Sequence, residues 1–235
     1  MNFKDSVILI TGGSLGIGLD TARMAAERGA KVIITARNKE RLAKVAEEHD
    51  LEAVAGDVSK PEDVKRVFDY IAEKHGRLDA LINNAGYGYF DMLENIDIEK
   101  FQQVFATNVT GAMMMAQSSL PFFKKQNSGN IVNISSTAGT RGFPGGTAYC
   151  GTKFALKAMT ECWRAELRSN NIRVILVNPS EVQTEFVANS GRDKRPYNPT
   201  KLHGEDIAHS ICSALEMDDR GFITELTVFA TNPQS

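Results

Sequence analysis

Short apolar runs and longer amphipathic stretches alternate along the chain. The runs lie at 7–11 (VILIT), 31–36 (KVIITA), 52–57 (EAVAGD), 78–83 (LDALIN), 130–135 (NIVNIS), 173–178 (RVILVN) and 224–230 (TELTVFA). In several of them apolar residues are consecutive rather than alternate, the pattern of a strand covered on both faces, as in a parallel sheet. Between the runs, helix-length segments span 16–28, 39–49, 61–75, 98–126, 150–169 and 204–217. Ser59 ahead of Pro61, Glu62 and Asp63 marks one helix start, and Gly29 marks the end of the first helix. Strand and helix taking turns throughout predicts right-handed βαβ units in a doubly wound α/β sheet, one domain over 1–235. The one long irregular segment, 179–203, is rich in Pro, Gly, Asn and charge. It reads as a substrate-side flap, against the plainer reading of a tolerated surface insertion.

Composition narrows the function without naming it. The 235 residues carry a formal net charge of -2, which argues against nucleic acid as a partner. No apolar run is long enough to span a bilayer. The first strand run begins at Val7 and leaves no room for a signal peptide, so a cytoplasmic protein is expected. Cys150, Cys162 and Cys212 form no C-x-x-C pattern and lie near no His cluster. They read as reduced thiols, with neither a disulfide framework nor a metal site.

The first strand runs into GGSLGIG at 12–18 and then a helix. Gly12, Gly16 and Gly18 allow a tight turn and close approach of backbone to a phosphate. The helix N-terminus behind them offers unpaired N–H groups and a positive dipole end. A free ribose 2′-hydroxyl calls for an acidic residue at the end of the second strand. Ala36 and Arg37 stand there instead. A guanidinium suits a 2′-phosphate, so NADP is expected in preference to NAD, unless Arg37 is simply a solvated surface residue. Asp57, closing the third run, could accept from an adenine amino group or cap the helix beginning near Pro61.

Two Tyr-x-x-x-Lys pairs occur, Tyr149/Lys153 and Tyr70/Lys74. One helical turn apart, each tyrosine and lysine share a helix face. A lysine beside a phenol favours the phenolate and brings its pKa from about 10 toward neutrality, where acid–base catalysis works best. Ser136 precedes the first pair and could donate to a developing oxyanion. The second pair lies in a polar helix with no serine-bearing strand end upstream and reads as a solvated helix face. Cys150 reads as a packing residue.

The motifs TGGSLGIG at 11–18, NNAG at 83–86, Asn108, IVNISSTAG at 131–139 and YCGTK at 149–153 occur in this order at familiar distances. On these motifs the chain resembles the short-chain dehydrogenases/reductases over nearly its whole length. The resemblance implies a single Rossmann-type domain with seven parallel strands. It implies Tyr149 as acid/base, Lys153 as its partner, Ser136 (rather than the strand-end Ser135) as the carbonyl-orienting hydroxyl, and Asn108 as holder of a proton-relay water. Asn108 could equally be a core asparagine satisfied by its surroundings. Cofactor contacts are implied for Gly12, Ser14, Leu15, Gly16, Ile17, Gly18, Arg37, Asp57, Val58, Asn84, Ala85, Gly86, Tyr149, Lys153, Pro179, Val182 and Thr184. The implied activity is NADP(H)-dependent interconversion of a small-molecule carbonyl and its alcohol. Near relatives by general pattern are 3-oxoacyl-carrier-protein reductases and 3-hydroxy acid dehydrogenases. A cofactor sensor without catalysis and a Tyr–Lys epimerase or dehydratase are the rival readings.

The chain departs from the family pattern in three places. Ser180 stands for the usual glycine after Pro179. Leu15 stands where many NADP-preferring members have a basic residue. The C-terminal GFITELTVFATNPQS at 221–235 lacks an Asp-Gly-Gly tail. The helix after Tyr149 has two apolar faces, Phe154/Ala158/Cys162/Ala165 and Leu156/Met159/Trp163/Leu167, and Met113, Met114 and Met115 repeat the excess. A homodimer or homotetramer is expected through these helices, as in the family. Phe143, Phe186, Arg192, Lys194, Arg195 and Tyr197 are candidates for substrate contact, and the charged residues among them could equally be solvated loop charge.

Overall fold

The computed structural model describes residues 1–186, 190 and 196–233. Seven strands form one parallel sheet: β1 Val7–Thr11, β2 Lys31–Thr35, β3 Glu52–Ala53, β4 Ala80–Asn83, β5 Gly129–Ile134, β6 Ile172–Pro179 and β9 Glu225–Val228, in the order β3-β2-β1-β4-β5-β6-β9. The order reverses between β1 and β4, the switch point at which doubly wound sheets bind ligands. Helices α1 Gly16–Glu27, α2 Lys39–Glu48, α3 Pro61–Lys74, α5 Ala112–Gln126, α6 Thr147–Leu167 and α7 Gly204–Glu216 cover both faces. The consecutive apolar residues of the strands divide between these faces. Ile8, Ile10, Ile34, Ile82 and Ile175 pack with Ala22, Leu42 and Ile211 of α1, α2 and α7. Leu9, Ile33, Leu81, Ile131 and Val174 pack with Phe68, Met115 and Leu167 of α3, α5 and α6.

Four expectations are revised. The predicted helix 98–126 is α4 Ile98–Phe105, a π-helical stretch Ala106–Gly111, and α5. Such stretches often mark functional positions, and this one carries Asn108. The third strand shrinks to two residues, because this edge strand pairs on one side only. Ser59 does not cap α3. Lys60 stands at the cap without a side-chain bond, while Ser59 donates through N–H and Oγ to Asp57 Oδ1. The segment 179–203 has a built base: β7 Val182–Gln183 pairs in parallel with β8 Leu202–His203. Gln183 also clamps Asn198, donating to its carbonyl at 2.7 Å and accepting from its N–H at 2.9 Å. Arg192, Lys194 and Arg195 lie outside the described residues.

Candidate active site

One cleft of about 870 Å³ runs along the C-terminal edge of the sheet. At its first wall the glycine turn leaves β1. Gly12 and Gly13 N–H groups both donate to the Thr35 carbonyl. Gly12 and Gly16 have φ of +66° and +54°, which side-chain-bearing residues seldom adopt. A Cβ on Gly18 would sit 2.5 Å from both the Gly12 carbonyl and Asn84 Nδ2, so this glycine serves helix–turn packing and does not line the cleft. Helix α1 begins after Leu15 with no side-chain cap and no acidic residue in its first turn. Its orphan N–H groups and dipole suit an anion.

The turn is locked to the end of β4. Thr11 Oγ1 accepts from the N–H groups of Asn84 and Ala85, and Asn84 Nδ2 donates to the Thr11 and Gly12 carbonyls. Ser14, Leu15, Gly16, Ile17, Asn84, Ala85 and Gly86 therefore line one continuous wall, with Pro179, Val182 and Thr184 completing the cleft.

The end of β2 supplies cations. Asn38 caps α2 by accepting from Arg41 N–H at 2.9 Å, so Arg37 and Arg41 flank the same helix start and both line the cleft. Arg37 also lies 5.9 Å from the centre of the Tyr87 ring. Asp57 and Val58 line the same end. Asp57 caps no N–H of α3; it accepts from Ser59, while its own N–H donates to Asp63 Oδ2. Buried Thr35 Oγ1, also lining the cleft, has no hydrogen-bond partner. Uncapped helix, glycine cradle, orphan hydroxyl and paired arginines together fit a dinucleotide carrying a 2′-phosphate. Arg41 and Tyr87 escaped the sequence reading. The four-residue spacing of Arg37 and Arg41 was a signal that could have found the first.

At the other end, the strand-end turn after β5 carries Ser136, and α6 starts three residues earlier than expected, at Thr147. Its first turns aim Tyr149 and Lys153 into the cleft beside Ser136. Both are buried, at 9% and 6% exposure. Lys153 Nζ donates to the Ile134 carbonyl at 2.8 Å and lies 5.6 Å from the Tyr149 ring centre. Burial pushes the Tyr149 phenol up to about 12, with the Ser136 hydroxyl pulling the other way. Burial brings the Lys153 ammonium down to about 8. The tyrosine thus lies above its ordinary value, not below it as expected, because desolvation disfavours the charged form of both groups. Ser135 also lines the cleft, but its hydroxyl is engaged, donating to the Lys153 carbonyl at 3.3 Å.

Asn108 is buried and does not line the cleft. Its Oδ1 accepts from Tyr87 N–H, and its Nδ2 donates to the Tyr87 carbonyl and Thr152 Oγ1. Its amide is thus bonded to the Tyr87 backbone and to Thr152. It fastens the loop after β4 to α6. Cys150 is buried, its thiol pushed up by burial, with Sγ 3.9 Å from the Arg141 carbonyl.

The sequence model for short chain dehydrogenases matches residues 6–195, and the chain belongs to that family of oxidoreductases. An uncharacterized oxidoreductase of Staphylococcus saprophyticus is 39% identical over 190 residues, covering 79% of this chain and 77% of the relative. Among solved structures, an alcohol dehydrogenase from the archaeon Thermococcus sibiricus, complexed with 5-hydroxy-NADP, superposes with a TM-score of 0.88 at 28% identity, over 99% of this chain and 100% of its own. The closed form of serine dehydrogenase complexed with NADP+ gives 0.89 at 27% identity, over 94% of both chains.

Proposed function

We propose that this protein is an NADP(H)-dependent carbonyl reductase or alcohol dehydrogenase, with a substrate of the 3-oxo/3-hydroxy acid or acyl type. The observation that carries the reading is a buried Tyr149–Lys153–Ser136 group facing the same cleft as the glycine turn and the Arg37/Arg41 pair. The NADP-bound neighbours support the cofactor choice. Main-chain N–H groups of the turn and the α1 N-terminus would hold the pyrophosphate, Arg37 and Arg41 the 2′-phosphate, and Lys153 the nicotinamide ribose.

The bound cofactor supplies the hydride. Tyr149, protonated at neutral pH with a pKa near 12, donates its phenolic proton to the carbonyl oxygen. Ser136 donates to the same oxygen as charge develops there. Lys153, still mostly ammonium at pH 7, stabilises the phenolate left behind. The ring of Tyr149 packs 5.3 Å from Phe90 and 5.4 Å from Phe186, which exclude water from the proton transfer. A non-catalytic sensor has no use for a desolvated ammonium whose burial opposes folding.

The assembly is a homodimer or homotetramer working in the cytoplasm. Phe154, Ala158, Cys162 and Ala165 are exposed on the single chain, as is Met113, while Leu156 and Leu167 are in the core. Light scattering giving a monomer at micromolar concentration would refute the assembly.

The function is tested by NADPH consumption against a panel of a 3-oxo acid, a 3-oxoacyl thioester, a diketone and an aromatic aldehyde, with Tyr149→Phe alongside. Turnover lost in the variant supports the reading. Tight NADPH binding without turnover of any panel member counts against it. Replacing Arg37 and Arg41 together by alanine raises the KM for NADPH roughly 10- to 100-fold while leaving that for NADH nearly unmoved, since charge-assisted phosphate bonds are lost only from the former.

A further inference from the structure

The catalytic end of the cleft has an aromatic wall and, besides the buried Lys153, an exposed arginine, Arg141. Phe90 stacks on Phe143 at 6.2 Å, and Phe90 and Phe186 both pack on Tyr149. Phe143 is 42% exposed, leaving apolar surface open at the mouth. Arg141, two residues before Phe143 on the loop that leads into α6, lines this end. It is exposed, and no carboxylate pairs with it among the described residues. Glu181, an acidic residue that also lines the cleft, has Lys201 at 3.1 Å.

Arg141 is also on the wrong side of the molecule to serve the 2′-phosphate. It follows β5, whereas Arg37 and Arg41 follow β2, and β1 and β4 lie between. At about 4.8 Å per strand, the two strand ends are some 14 Å apart. The cleft thus has two cationic ends with the Tyr149 phenol near the second.

We propose that the substrate is an anionic carbonyl compound with an aryl or other flat apolar group: an aryl oxo acid whose carboxylate is bound by Arg141 and whose ring lies against Phe90, Phe143 and Phe186. Arg141 is then a specificity-determining residue. It forms no bond to the reacting oxygen, and it selects acids over their neutral analogues by a charge-assisted, bidentate contact at the cleft mouth. The inference rests on the reductase reading above and narrows its substrate class.

The test compares 3-oxo-3-phenylpropanoate with its ethyl ester, using wild-type protein and NADPH, with neutral aromatic aldehyde as a reference. The expected wild-type kcat/KM ratio of acid to ester is roughly 10- to 100-fold, carried by KM, and it falls toward one in Arg141→Gln. Arg141→Lys keeps part of the ratio, because it keeps the charge and loses the fork. NADPH binding by each variant, followed by fluorescence, reports an intact cleft. Equal turnover of acid and ester by wild type overturns the inference, as does an acid preference that survives in Arg141→Gln. Turnover of the aldehyde with neither acid nor ester reduced also overturns it, while leaving the reductase reading standing. No turnover of any of the three by protein that binds NADPH sinks both.

Discussion

The chain contains the same four-residue tyrosine–lysine spacing twice, and the two copies behave as different chemical objects. Tyr70 and Lys74 lie on α3 beside a carboxylate: Tyr70 OH donates to Glu52 Oε2 at 2.9 Å, Lys74 Nζ donates to Tyr70 OH at 3.0 Å, and His75 Nε2 lies 2.9 Å from the same Glu52 oxygen. This is more than the solvated helix face expected of it, since it ties α3 to the edge strand β3. Hydrogen bonds from His75 and Tyr70 overcome burial and hold Glu52 below the usual carboxylate range, and the bond with Tyr70 raises Lys74. Every charge there has a partner. At Tyr149 and Lys153 no carboxylate among the described residues bonds to either group, and burial drives the two groups toward neutrality from opposite sides. Spacing places a lysine near a phenol. The surroundings decide whether the pair becomes a strut or a proton donor.

The largest difference should appear in activity. Tyr149→Phe removes the proton donor and should lower kcat by roughly 10²- to 10⁴-fold, the usual contribution of a positioned acid. Tyr70→Phe should leave kcat within a factor of two. An assay with the first full NADPH turnover substrate decides this, and a comparable loss in both variants would erase the contrast.

The two lysines should also bend the pH–stability curve in opposite directions. Lys153 has a folded pKa near 8, below its unfolded value of 10.5. Between those values the unfolded chain binds more protons, so stability rises with pH there, by up to about 3 kcal/mol. Lys153→Met should lack that rise and, at pH 7, should gain some of the stability that the buried ammonium withholds. Lys74 has a raised pKa, so its contribution is complete below 10.5 and is lost above it. Urea midpoints of wild type and Lys153→Met from pH 7 to 10.5 measure the first sign, and those of wild type and Lys74→Met carried on above pH 10.5 measure the second. A flat difference between wild type and Lys153→Met would mean that the ammonium is well solvated.

How far the sequence foretold these surroundings varied with the range of the contact. The central strands were legible because burial on both faces demands unbroken apolar runs, as in Val7–Thr11. The glycine turn was legible because positive φ at Gly12 and Gly16 leaves few alternatives. Contacts between distant segments were not legible. Nothing local to Tyr70 announces Glu52, eighteen positions away. Asn108 finds Thr152 across 44 positions, from a π-helical stretch that carries no sequence mark of its own. The direction of the Tyr149 shift was missed for a related reason. Proximity to Lys153 is visible in spacing, while desolvation depends on Phe90 and Phe186 arriving from elsewhere in the chain.

A smaller effect tests the strut directly. Glu52→Gln leaves Tyr70 and His75 a weaker neutral acceptor and Lys74 without its counter-ion, and should cost about 1–2 kcal/mol in denaturant midpoint with no change in kcat. The loss should vanish in acid. Glu52 has a folded pKa below 4.5, so its stabilisation is full above that value and disappears as the pH falls through the folded pKa.

The smallest expected effect sharpens the comparison most. Tyr70→Phe removes one partly buried hydrogen bond to Glu52 and should cost about 1 kcal/mol, while Lys74, 3.3 Å from Glu52, keeps its ion pair. In a double-mutant cycle, Tyr70→Phe and Glu52→Gln should cost less together than the sum of the two, because both delete the same bond. Strict additivity would show that Tyr70 and Glu52 act independently. The Tyr70 pair would then be the solvated face its polar helix first suggested, and only Tyr149 would owe its chemistry to its neighbours.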